Sequence, residues 1–355
     1  MVQAEKTIFI HDDTYHYTAA YYTTNKWVDA DTLVLSRSES ETIGAMKPEA
    51  CELVLYSCKD QSMKVICNDI TNFNSYVVHQ KLVYYTNRTQ LRCIDLDTGE
   101  NRLIYEKDFD EIEAFGGPQI TNDGKTVSLY ANREDFGGFF FTVDTQTGRS
   151  RKLLTKRFES PFHFANHGMI CPENPDLLFF AHEGNTFYIS NRLWLYDAKT
   201  DKAWNLAKQS LNQCGNLGDC FGHESWAYDG KGMYFVKYPC SPTPPTGICY
   251  VDIGTGKHEL LYTSYNYWHV GSSQDGRFLL ADTLAPDHNE VVVIDREDGS
   301  ETVIDRVKGK AHPAHPHPQM SLDNKKVVYT ALDDAGRTGV KITFLKQSSF
   351  AATAL

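Results

Sequence analysis

CIDLDTGENRLIYE, residues 93–106, holds a short apolar run ending in Asp95, Gly99 four positions on, and a second apolar run returning. That is a strand, a tight Asp/Gly turn and an antiparallel strand. The pattern recurs in TVDTQTGRSRKLL (142–154), LYDAKTDKAWNL (195–206), YVDIGTGKHELLY (250–262) and VIDREDGSETVI (293–304). The aspartates Asp95, Asp144, Asp197, Asp252 and Asp295 are spaced 49, 53, 55 and 43 residues apart. A second hairpin alternates with the first: Asp123-Gly124, Asp229-Gly230, Asp275-Gly276 and Asp323-Asn324 each precede an apolar run. Two hairpins per period make a four-stranded antiparallel sheet, the unit of a propeller blade. The reading is therefore an all-β chain, a seven-bladed β-propeller forming a single domain over 1–355. WVDADTLVLS and CELVLYS fall in the first blade, and the terminal KITFL closes the ring with early strands. No helical periodicity is sustained and no linker composition marks a second domain.

Composition agrees. Of 355 residues 41% are hydrophobic and 12% aromatic, enough for a large core and incompatible with a disordered or coiled-coil chain. The net charge of −11 argues against nucleic-acid or anionic-membrane binding, which need a basic face. No apolar run spans a bilayer and no secretory signal is visible, so the expected location is cytoplasmic. The 9 cysteines are irregularly spaced with no CxxC pair, and read mostly as small buried hydrophobes. Cys214–Cys220 and Cys240–Cys249 are the pairings that sequence proximity offers.

A propeller places equivalent positions of successive blades around one axis. Six residues before the second-hairpin turn stand His223 (before Asp229), His269 (before Asp275) and His317 (before Asp323). The degenerate turn at Glu173 gives His167, and the blade with Asp123 gives Gly117. Four imidazoles are thus expected at one central mouth. His315, two residues before His317 in the run HPAHPHP (312–318), should project from the same face of an extended segment. The alternating prolines favour that extension. Imidazoles so gathered suit Zn, Mn, Fe, Ni or Cu. No nucleophile elbow, HExxH, P-loop or dinucleotide-binding fingerprint occurs. Arg192, beside the His182-Glu183-Gly184 loop, reads equally as a surface cation and as a group that meets an anion.

These residues carry a family resemblance. His182-Glu183-Gly184 followed by Arg192-Leu193-Trp194, then Gly222-His223-Glu224-Ser225-Trp226, Trp268-His269-Val270 and His315-Pro316-His317-Pro318, resembles the oligogalacturonide lyases over about residues 160–345. The resemblance implies a seven-bladed propeller that cleaves short acidic pectin fragments by β-elimination. It implies His269, His315 and His317 as ligands of a divalent metal, usually manganese. It also implies His223 as catalytic base, Arg192 as the active-site arginine, which could pair with a carboxylate bidentately or help stabilise the leaving oxygen, and His167 and His182 as substrate contacts. Where the family carries a glutamine ligand, this chain has His312. Two other readings stay open: a lyase or hydrolase for a different uronide, and a non-catalytic propeller that binds a partner.

Overall fold

The computed structural model describes residues 2–19, 21, 23–39, 51–70, 72–108, 114–132, 137–215, 217–309 and 314–347. Seven four-stranded antiparallel sheets form a β-propeller, as the repeats predict. Numbered along the chain, blades 1 to 6 start at their innermost strands: His16–Thr18, Tyr76–His79, Gln119–Ile120, Ala165–Cys171, Phe221–Trp226 and Tyr267–Ser272. Blade 7 runs Gln319–Met320, Lys326–Leu332, Thr338–Gln347 and then Val2–Ile10 as its outermost strand. Val2 pairs with Gln347 and Ile10 with Val340, so the first strand seals the last blade.

The turn signatures have a direct physical basis. The Asp144 carboxylate accepts the backbone N–H groups of Gln146 and Thr147 at 3.1 and 2.7 Å, and Gly148 then takes a left-handed φ of 69°. Asp201 occupies the equivalent place in blade 4 with φ 52°. In the second hairpin the residue two before the Asp closes the turn. Thr121, Ala227, Ser273 and Ser321 each donate to the carbonyl five residues on and accept from the N–H three residues on. Blades 3, 5, 6 and 7 therefore share one register.

Central strands are apolar on both faces because each sheet is covered by its neighbours. Met169, Phe179 and Leu195 of blade 4 pack with Phe221, Phe235 and Val251 of blade 5. Outer strands face water, as in Asn101–Glu106. All 9 cysteines are thiols, seven buried and two exposed, so neither pairing suggested by sequence forms. Cys220 instead meets Cys240, because the chain returns after Tyr238 to the edge of the strand that Cys220 precedes. Among the described residues no helix is long and apolar enough to cross a membrane.

An axial cavity of about 590 Å³ is lined by residues of all seven blades, among them Trp27, Val77, Gln119, Ser225 and Gln319. Met169, Ser225, Gly271 and Gln319 each lie two residues past an aligned histidine. The histidines therefore stand just beyond one end of this cavity.

Candidate metal and acid–base site

The aligned histidines meet. His223 lies against His269 with ring centroids 3.8 Å apart, and His269 lies 4.4 Å from His317. Tyr21 links His317, at 4.6 Å, to His167, at 6.5 Å. His315 joins the group, 5.4 Å from His317 and 4.1 Å from the indole of Trp268.

The backbone aims these rings. His167, His223 and His317 have φ values of 53°, 52° and 47°, a left-handed conformation that costs a non-glycine residue about 1–3 kcal/mol. In blades 4 and 5 a bulge marks the spot, between Asn166 and Met169 and between Gly222 and Ser225. At His317 this replaces the simple extended geometry expected of the HPAHPHP run. Blade 3 has no ring there for a steric reason: a Cβ on Gly117 would lie 2.6 Å from the carbonyl oxygen of Asn74. The same Asn74 accepts the backbone N–H of Tyr21 through its side chain at 2.9 Å.

His269, His315 and His317 each offer a nitrogen, and these atoms lie within 4.8 Å of one another. All three side chains are buried, and the Nε2 atoms of His269 and His317 face each other at 3.2 Å. His269 Nδ1 meets both carboxylate oxygens of Asp282 at 2.8 and 3.0 Å. With the proton placed on Nδ1, Nε2 carries a lone pair towards the group. Asp282 also accepts the backbone N–H groups of His269 and His317 at 2.9 and 3.2 Å. Burial nevertheless pushes its carboxyl up to about 7. Three convergent imidazole nitrogens backed by a buried carboxylate fit a divalent ion. His312 lies outside the described residues.

His223 is only partly buried, and its Nδ1 donates to the Trp268 carbonyl at 2.5 Å, which leaves Nε2 as the basic nitrogen. Burial holds this imidazole well below its ordinary pKa, and the neighbouring His269 and Arg192 push it the same way.

Arg192 differs from the expectation. Its guanidinium is not open to a ligand carboxylate bidentately, because Glu183 already fills that fork at 2.8 and 3.1 Å. Its Nε donates to Glu224 at 2.5 Å, and its backbone N–H to Gln209 at 2.7 Å. Glu183 in turn meets His167 Nε2 at 2.9 Å. Burial alone would raise Glu183, but Arg192 and His167 outweigh it and hold the carboxyl well below the usual range. Burial alone would lower His167, yet the bond and charge of Glu183, with Glu224 behind it, raise it above the ordinary imidazole value.

His182 is held apart from the clustered histidines. Its Nδ1 meets the Asn191 side chain and its Nε2 the Phe162 carbonyl, both at 2.9 Å, and its ring stacks on Phe158 at 3.7 Å. Both nitrogens serve to fix the neighbouring loops, so none is left for a substrate. Sequence reading missed Tyr21, Asp282, Glu183 and Glu224. Asp282 carries a signal, a carboxylate in the apolar run FLLADT, and the two glutamates each follow a histidine of the quoted motifs. Tyr21 lies outside the repeat and carries none.

No family model matches the chain. An oligogalacturonide lyase of Pectobacterium atrosepticum is 25% identical over 289 residues, covering 70% of this chain and 71% of that one. Among solved structures, an oligogalacturonate lyase in complex with manganese superposes with a TM-score of 0.79 at 18% identity, covering 98% of this chain and 99% of that one. The oligogalacturonate lyase of Vibrio parahaemolyticus gives 0.76 at 17% identity, covering 97% and 98%. In sequence over most of its length, and in fold over nearly all of it, this chain is similar to the oligogalacturonide lyases, the family its histidine motifs resemble.

Proposed function

We propose that the chain is a metal-dependent lyase that cleaves oligogalacturonides by β-elimination, giving 4,5-unsaturated uronides. The observation that carries this reading is the convergence of His269, His315 and His317 within 4.8 Å, with the His223 ring against His269 at 3.8 Å. A scaffold propeller has no physical reason to keep four strained or buried imidazoles at one mouth.

In this reading His269, His315 and His317 hold a divalent ion, with manganese favoured by the similar lyase that binds it. Bound there, the ion supplies the electrophilic stabilisation that lets a uronate carboxylate tolerate negative charge building at C5. His223 does the proton abstraction. Its Nδ1 is fixed by the Trp268 carbonyl, so Nε2 takes the C5 proton, and burial keeps the ring in the neutral form that a base requires. The electron pair of the C5–H bond forms the C4–C5 double bond as the C4–O bond breaks, and no water is consumed. Trp268, packed on His315, offers an aromatic face beside the ligands for a sugar ring. Arg192 acts at one remove, as the cation that holds Glu183 and Glu224 in place.

The test is incubation with a panel of oligouronides and Mn²⁺, monitored by the ultraviolet absorbance of the conjugated product. Absorbance should rise with oligogalacturonides and stop on chelation. New reducing ends without that absorbance would mean hydrolysis, and no cleavage of any panel member would remove the enzyme reading.

A further inference from the structure

Breaking the C4–O bond expels an alkoxide, and expulsion is slow unless a proton meets the oxygen as it leaves. His223 is then accepting a proton, so the donor must be another group. We propose that His167 is this donor, its imidazolium passing the Nδ1 proton to the glycosidic oxygen as the bond to C4 breaks. The inference rests on the lyase reading above and adds a second catalytic residue to it.

Placement is the first argument. His167 occupies in blade 4 the position that His223 occupies in blade 5, with the same left-handed backbone, φ 53° against 52°. Such strain persists where the surrounding structure enforces it, and it collects at functional positions. The His167 side chain is 33% exposed, whereas Arg192 and Glu224 behind it are 6% and 1% exposed. Glu183, which it meets, is 24% exposed, so His167 is the most open member of its network.

Charge is the second. His167 Nε2 meets Glu183, Glu183 meets Arg192 and Arg192 meets Glu224, at 2.9, 2.8 and 2.5 Å. Two carboxylates share one guanidinium, and Glu183 meets His167 as well. A proton on His167 is therefore favoured by the carboxylate it touches and by the one behind it. The groups facing this imidazole are Glu183, Glu224, Arg192, His223 and the ring of Tyr21, and the carboxylates prevail. With Nε2–H directed at Glu183, Nδ1–H remains for the leaving oxygen; among the described residues no hydrogen bond from His167 other than that to Glu183 is found. After the bond breaks, His167 is neutral and His223 protonated, and exchange with solvent restores both.

The experiment compares two substrates of the Mn²⁺-loaded protein. One is an oligogalacturonide. The other is a galacturonoside bearing a 4-O-nitrophenyl group, which leaves as nitrophenolate without a proton. His167→Gln should lower kcat about 100-fold or more on the first and less than about 10-fold on the second. Equal losses on both would make His167 a binding or structural residue and overturn the proposal. A wild-type measurement needs no variant. The alkaline limb of kcat/KM, set by loss of the His167 proton, should appear with the oligogalacturonide and vanish with the nitrophenyl substrate. The same limb on both would also overturn it. A wild type that forms no conjugated product from either substrate would sink the lyase reading itself, a result distinct from both.

Discussion

Replacing Arg192 with methionine keeps a long side chain and removes the cation shared by Glu183 and Glu224. Those carboxylates are 24% and 1% exposed, so water cannot replace the lost partner fully. Breaking a buried ion pair by deleting one partner costs about 3–5 kcal/mol. Unfolding entropy near the midpoint is about 2.1 cal/mol/K per residue, hence roughly 0.75 kcal/mol/K for 355 residues. The melting temperature should therefore fall by about 4–7 °C at pH 7. The pH dependence is signed. Glu183 is held below its ordinary value of 4.5 in the native protein, so its contribution is present above that pH and fades as pH falls through the depressed native value. The variant lacks much of this contribution, so the two proteins should differ fully at pH 7 and converge towards strongly acidic pH. The assay is calorimetric melting of wild type and Arg192→Met with chelator present, so that metal binding does not mask the difference. A drop below about 1 °C at pH 7, or a deficit that does not change with pH, would refute the buried-network argument.

Three further outcomes are expected. His223→Ala should abolish turnover while metal content by elemental analysis stays unchanged; loss of metal as well would mean that His223 is a ligand. His315→Ala and His317→Ala should each lower bound metal, and Asp282→Asn, which removes the carboxylate behind His269, should weaken metal affinity about 10–100-fold by titration. Glu183→Gln removes the group that raises His167, so the alkaline limb of kcat/KM should move to lower pH, a shift that a purely structural role would not produce.

The blades were legible because each hairpin obeys local rules. An aspartate that caps its own turn and a residue that tolerates positive φ repeat at fixed spacing, and no distant contact is needed to read them. The histidine register was legible for the same reason: an offset of six residues from the turn reached three positions that share one left-handed backbone. What failed depended on neighbours. The role of Arg192 stayed open between a surface cation and a ligand contact, because nothing local reveals that Glu183 and Glu224 both take its guanidinium. His182 looked like its fellow histidines until Asn191 and Phe162 were seen to use both its nitrogens. Tyr21 comes from a segment that no repeat constrains, and it is held by a distant residue, Asn74, which accepts its backbone N–H.

Two of the three clustered imidazole nitrogens, those of His315 and His317, belong to the blade whose outer edge is supplied by Val2–Ile10. This blade is complete only when Val2–Ile10 pairs with Thr338–Gln347, strands more than 300 residues apart. In the proposed reading, ion binding therefore depends on the blade closed by the most distant pairing in the ring, and six finished blades without it would lack two of the three nitrogens. Fraying of the seam would also reach these ligands before it reached His167 or His223, so loss of metal should precede loss of the remaining blades when the protein is gently destabilised.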